Sequence, residues 1–257
     1  MSQLQGVTGA RGRAGFIQGM SWVTCGWQHV QRDVPLWLCM SALYLVGATL
    51  LGHIPFAGLL LIVLLSPMVL AGALLALHHG AEAAANAGLA LRAARQLGRA
   101  FANEAHAFAA VLLGILTLGL VVIVGILEHL VGVGSLNSLL AATLQQTLPL
   151  SSLLLGVVVA GSLTVLLLMA LFFAVHRTIL ARRDPMVAIA DSFGATRRHA
   201  LALIAFVSAH AIAGVIIALG FRLSPIAGYL LLYTLGLVAL PVFVAGSYCG
   251  YREAFDA

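Results

Sequence analysis

The sequence predicts an all-α polytopic membrane bundle of six transmembrane helices with three cytoplasmic interfacial amphipathic helices. Three observations carry this. The 257-residue chain is 62% hydrophobic and only 8% charged, where a soluble domain carries about 25% charged residues. Its apolar residues gather into charge-free runs close to the about 20 residues a helix needs to cross a hydrocarbon core of about 30 Å. Its basic residues are all arginine and collect in alternate connections between those runs.

The segment ahead of the spans sets Phe16, Met20, Val23, Trp27 and Val30 at helical steps, with Gln18, Gln28 and Arg32 off that row. This spacing predicts the first interfacial helix. Arg11 and Arg13 precede a mixed segment, not a short apolar run with a small-residue cleavage site, so no cleavable signal peptide is expected. The spans follow at about 34–51, 56–77, 107–127, 153–175, 200–220 and 225–246. A helix satisfies every backbone group internally, which hydrocarbon demands. A β-barrel is excluded because its strands alternate over about 10 residues, and these runs are continuous.

The connections Gly52 to Pro55 and Phe221 to Ser224 are short and predict tight helical hairpins. Between spans three and four, Leu136, Leu139, Leu140 and Leu144 lie at helical spacing and predict a helix resting at the outer interface. Before span three, Leu89, Ala93, Leu97 and Phe101 share a row, with Arg92, Arg95 and Arg99 on another face. Before span five, Met186, Ile189, Ala190 and Phe193 share a face, and Asp184-Pro185 reads as an N-cap with proline at the first helical position.

Charge sets the orientation. With six spans, every arginine except Arg222 falls on one side. The positive-inside rule makes that side, and both termini, cytoplasmic. The chain is then one integral membrane domain, 1–257, built from three helix-plus-hairpin units at about 14–79, 83–176 and 184–252. Trp27 with Arg32-Asp33 parallels Phe193 with Arg198-His199, and Ser66-Pro67 parallels Leu240-Pro241. The middle unit has Ala170 where proline would fall. An arginine-only, Ala-, Leu-, Gly- and Val-rich composition matches the coding bias of a GC-rich bacterium, and the expected location is the inner membrane. Because the arginines flank spans, the net charge of +5 reflects topology and not nucleic-acid binding.

Few residues carry chemistry. His210, near the middle of span five, is an ionisable group deep in the bilayer and a candidate intramembrane polar site. Its plainer reading is a hydrogen bond to another helix, with Tyr229, Tyr233 or Thr234 as partners. Glu128 and His129 read as an interfacial, solvated pair. His78, His79 and His176 sit at C-terminal ends of spans, where the helix dipole favours a cation. The sharper alternative is a metal gathered from several helices, with His78, His106 and His176 converging, but no metal-binding spacing such as HExxH is present. Cys25, Cys39 and Cys249 are odd in number and contain no CxxC pair. On the cytoplasmic side thiols stay reduced, so neither a disulfide nor a thiol-ligated metal is expected.

Arg92, Arg95 and Arg99 are candidate contacts for anionic lipid. Pro67 and Pro241 fall inside spans and free the carbonyls of Val63 and Leu237, which leaves two readings: a packing kink, or a kink that lines a cavity or permits motion. Gly156 with Ala160, and Gly214 with Ala218, permit close helix approach. No P-loop, GxSxG elbow or intramembrane carboxylate pair is visible, so no enzyme activity, cofactor or metal is expected.

Gly26-Trp27 followed by Arg32-Asp33-Val34-Pro35-Leu36-Trp37-Leu38 resembles the start of the first span in a family of bacterial inner-membrane proteins of unknown function. Ser192-Phe193-Gly194-Ala195 with Arg197-Arg198 resembles that family's segment before span five, with His199 where Asn often stands. The layout is also distantly similar to the membrane portion of some glycerophosphodiester phosphodiesterases. The chain carries none of their catalytic domain, so the resemblance implies a six-span fold and no hydrolase activity. The expected role is a non-enzymatic accessory or lipid-environment protein, partnered by membrane lipids and a further membrane protein. The alternative is a transporter or channel for a small solute.

Overall fold

The computed structural model describes residues 2–54, 57–79, 88–130, 162–163 and 165–255. Every regular element among these is helical: α1 (Ser2–Gln31), α2 (Val34–Gly52), α3 (Ala57–His79), α4 (Leu89–Leu97) with a one-turn 3-10 extension (Gly98–Ala100), α5 (Glu104–Leu130), α6 (Ala174–Ile179), α7 (Pro185–Arg198), α8 (Ala200–Leu223) and α9 (Pro225–Phe255). Within them, five helices are long and apolar enough to cross a membrane: Val34–Gly52, Ala57–His78, Glu104–Ile123, Ala200–Leu223 and Pro225–Phe255. The expected fourth span, 153–175, lies outside the described residues at 153–161 and 164. Its described end is a shorter apolar stretch, Val165–Ile179, interrupted by a turn at Phe172 and Phe173. The outer helix expected at Leu136 to Leu144, and the Gly156–Ala160 pair, also lie outside the described residues.

Local sequence accounts for the helix ends. The Asp33 side chain accepts the Leu36 amide at 3.3 Å, just ahead of Pro35 in the first turn of α2. Asp184 accepts the amides of Met186 at 2.9 Å and Val187 at 3.4 Å, with Pro185 opening α7, which is the N-cap that the sequence predicts. α8 runs to Leu223 and α9 begins at Pro225, so Ser224 alone joins them, and its hydroxyl accepts the Ala227 amide at 3.0 Å. The turn at Phe172–Phe173 is held from α7. Ser192 Oγ accepts the Phe173 amide at 2.9 Å and donates to the Met169 carbonyl at 3.0 Å, and the Thr196 hydroxyl donates to the same carbonyl at 2.9 Å. Backbone groups that the turn frees are thereby satisfied by buried hydroxyls.

α9 contributes to all three buried clusters. Tyr248 packs with Met68, Leu74, Leu113 and Ile179; Tyr251 joins Trp22, Phe173 and Phe206; Val242 and Ala245 join Leu36, Trp37, Met40 and Ala93. α1 lies antiparallel to the C-terminal half of α9. Gln18 and Trp22 donate to the Glu253 carboxylate at 2.7 and 2.6 Å, and Gly26 faces Gly246.

The packed faces coincide only in part with the apolar rows, which share Val30 and Ala93 with them. On α1 the buried positions are Gly19, Trp22, Gly26 and Val30, while Phe16 is 56% and Trp27 is 43% exposed. On α7 the buried positions are Ala188, Ser192, Ala195 and Thr196, and Met186 and Phe193 point outward. On α4 Ala93 and Gln96 are buried, whereas Leu89 and Phe101 are exposed. The pattern has one cause. Small side chains let helix backbones approach closely, and in an apolar solvent a large apolar side chain loses nothing by facing outward. Ile212, Val215, Leu219 and Leu223 along α8, with Ile226 and Leu230 on α9, are likewise mostly exposed, a band that water would not tolerate.

Candidate functional site

Both proline-bearing helices border one cavity of about 430 Å³. It lies between α2, α3, α5 and α9, with Leu97 of α4, Leu171 and, on α6, Val175 closing it, and its wall includes Val63, Pro67, Leu240, Pro241 and Val244. α3 and α9 continue as helices through their prolines, and Pro67 and Pro241 line the cavity while being buried themselves. The polar side chains on the wall are the hydroxyls of Ser41, Tyr44, Ser66 and Thr117, with the indole of Trp37. Most of that polarity is already used. Tyr44 and Ser66 share a hydrogen bond at 3.2 Å, Ser66 donates to the Ile62 carbonyl, and Thr117 donates to the Leu113 carbonyl at 2.8 Å. Among the described residues on the wall none is charged. The volume is in the about 300–1,000 Å³ range of small-molecule sites, and its wall is predominantly apolar.

His210 stands apart from this cavity, being absent from its wall. Its Nδ1 lies 2.8 Å from the Phe206 carbonyl one turn earlier, and its ring packs against Phe206 and Phe243 with centroids 4.6 and 5.1 Å away. The interhelical partners expected for it are engaged elsewhere. Tyr233 donates to Thr49 Oγ1 at 3.1 Å, and Thr234 donates to the Leu230 carbonyl at 2.8 Å. The hydrogen bond seen for the imidazole is thus within its own helix.

The three arginines of the α4 region have different surroundings. Arg92 reaches Asp33 at 3.3 Å and ties α4 to the start of α2, Arg95 is exposed, and Arg99 is half-buried. An exposed guanidinium near a lipid surface gains about 1 kcal/mol from anionic headgroups, and one already facing a carboxylate gains less. Arg95→Gln is expected to lower retention of anionic lipid about fivefold, and Arg92→Gln to lower it less. Competition between anionic and zwitterionic lipid in native mass spectrometry checks the order.

No family, curated protein or solved structure matches this chain.

Among the described residues, His78, His106 and His176 are not gathered within metal-binding distance of one another. His176 is fully buried, with Nε2 3.2 Å from Ser247 Oγ and its ring stacked on Tyr251 at 5.3 Å. His78 Nδ1 lies 3.2 Å from the Tyr248 hydroxyl. Among the described residues the group of metal-ligating side chains that does come together is Cys25, His29 and Cys249. The side chains of His79, Glu128 and His129 lie outside the described residues.

The cysteines overturn the expectation of reduced, separate thiols. Cys25 on α1 and Cys249 on α9 form a disulfide across 224 residues of sequence, with Cα atoms 6.4 Å apart, and Cys39 stays free. A spacing rule reads neighbours along the chain. This pair arises only because α1 docks antiparallel on α9, which the sequence does not announce. One signal was available: Cys25 and His29 stand four apart on a predicted helix, hence on one face.

Proposed function

We propose that this chain is a six-span inner-membrane protein, with both termini in the cytosol and α1, α4 and α7 at the cytoplasmic interface, that binds an apolar lipid tail without performing chemistry on it. The single observation that carries the reading is the cavity at Pro67 and Pro241: its volume suits a small-molecule ligand, and its few hydroxyls are largely spent within the protein. The outward-facing Phe16, Trp27, Met186 and Phe193 support the interfacial placement, since apolar and aromatic side chains anchor helices at the lipid boundary. A solute transporter, the alternative reading, requires a polar path near the midplane. His210, the ionisable group available for it, is absent from the wall.

The test fills the cavity. The full chain is purified in mild detergent, and bound lipid is counted by native mass spectrometry beside Val63→Trp, whose indole would occupy part of the volume. Wild type is expected to retain about one lipid per chain and the variant severalfold less, with both running as the same species on size exclusion. Equal retention by the two, or a wild type that carries a water-soluble solute and no lipid, overturns the proposal.

A further inference from the structure

We propose that Cys25, His29 and Cys249, once the disulfide is reduced, form a binding site for a single zinc-like divalent ion, with one coordination position left open. The geometry comes from two helices. Cys25 and His29 sit one turn apart on the same face of α1, and α9 delivers Cys249 against them. The His29 Nδ1 lies 3.8 Å from Cys25 Sγ and 3.9 Å from Cys249 Sγ. Tetrahedral zinc, with bonds of about 2.3 Å to sulfur and about 2.0–2.1 Å to nitrogen, sets its ligands about 3.6 Å apart for nitrogen to sulfur and about 3.8 Å for sulfur to sulfur. Two edges of the required triangle are thus already near their final length. The third is the S–S bond itself, and it opens when the bond is cut and the cysteine side chains rotate about Cα–Cβ. All three residues are half-buried, so an ion can reach them while the bundle still shields the site.

The chemistry balances with a dithiol reductant of the kind that keeps cytosolic thiols reduced. The Cys25–Cys249 bond takes two electrons and two protons to give two thiols, and the reductant becomes a disulfide. Metal binding then releases those two protons to solvent, because thiolate is the ligand form. The His29 Nδ1 now lies 3.0 Å from the Cys25 carbonyl. A carbonyl only accepts, so Nδ1 carries the ring proton in that contact. On metal binding the ring exchanges this proton through solvent to the Nε2–H tautomer, and Nδ1 turns to face the ion. Two cysteines and one histidine supply three protein ligands, and water takes the fourth place, the arrangement of an open zinc site. In the proposed topology the cluster faces the cytosol, so the reduced, metal-loaded pair is the resting form there and the disulfide is its oxidised counterpart. This inference stands apart from the lipid reading, since none of the three residues borders the cavity.

The test uses Co²⁺ as a visible stand-in for zinc on the full chain in detergent. After reduction with a phosphine and its removal, wild type should take up one equivalent of Co²⁺ with a sulfur-to-cobalt charge-transfer band and intense tetrahedral d–d bands, both erased by Zn²⁺. Oxidised wild type should show neither band. Cys39→Ser should behave as wild type, while His29→Gln should weaken binding by at least about a hundredfold, since even loss of a second-shell partner costs up to that much. A second readout guards against variants that misfold: in reduced wild type, Zn²⁺ should slow alkylation of Cys25 and Cys249 and leave Cys39 unaffected. No Co²⁺ uptake by the reduced chain, identical bands from the oxidised chain, or equal binding by His29→Gln overturns the proposal.

Discussion

Trp22→Ala is expected to destabilise the fold by about 3–5 kcal/mol, the range for truncating a large buried aromatic. Trp22 is 1% exposed and sits where three helices meet. Its ring stands edge-on to Phe173 at 6.2 Å and to Phe206 at 6.0 Å, contacts that add to the area buried. A Cβ on Gly250 would fall 2.8 Å from the indole, so α9 is built to receive it. The indole N–H donates to Glu253 at 2.6 Å, and Gln18 binds the other carboxylate oxygen at 2.7 Å. Truncation therefore opens a cavity and also strips a partner from a carboxylate. Trp22→Phe separates the two losses. It keeps most of the packing and removes only the hydrogen bond, at a cost of about 1.5–3 kcal/mol for a bond to a charged group. Thermal unfolding in mild detergent, followed by the helical circular dichroism signal, measures both variants. Should Trp22→Ala melt with the wild type, α1 is not docked as described.

Gly26→Leu is the second large effect. A Cβ at position 26 would lie 2.6 Å from the Gly246 nitrogen and 2.6 Å from the Val242 carbonyl oxygen. Both are backbone atoms of α9, so no side chain can swing aside, and the two helices must separate. Overpacking of this kind costs about 1–3 kcal/mol even where some relaxation is possible. The separation acts one residue from the Cys25–Cys249 bond. Under oxidising conditions the variant should lose that crosslink, with Cys25 and Cys249 both alkylated in peptide mass spectrometry, whereas wild type leaves only Cys39 modified. A Gly26→Leu protein that keeps the bond and the wild-type melting point would show that α1 and α9 are not in contact here.

Much of the helical layout is legible along the chain because it depends on neighbours. The runs beginning at Val34, Ala107, Ala200 and Pro225 are apolar without a break, and the structure places a helix long enough to span a membrane on each, beside one over Ala57–His78. Asp184-Pro185 marks a helix start by local capping chemistry, and α7 begins there. The packed faces were less legible. The rows of large apolar residues on α1 and α7 do not by themselves say which members are buried, because a helix in an apolar solvent is not forced to bury them; Val30 is buried and Phe16 is not. Gly19, Gly26, Ala188 and Ala195 face inward instead, since close approach of backbones needs small residues there. His210 was singled out as a lone ionisable group, yet a carbonyl of its own helix, at Phe206, accounts for it.

The amino-acid order by itself determined that this protein is helical and strongly apolar, with prolines inside two of its apolar runs, because helix length, charge exclusion and a missing amide are properties of contiguous residues. Only the tertiary structure decided that those prolines border one cavity and that Cys25, His29 and Cys249 meet. Both results require α9 to touch α1, α2 and α3 at once. Contacts between residues as much as 224 positions apart follow from how helix surfaces fit together, which no local pattern encodes.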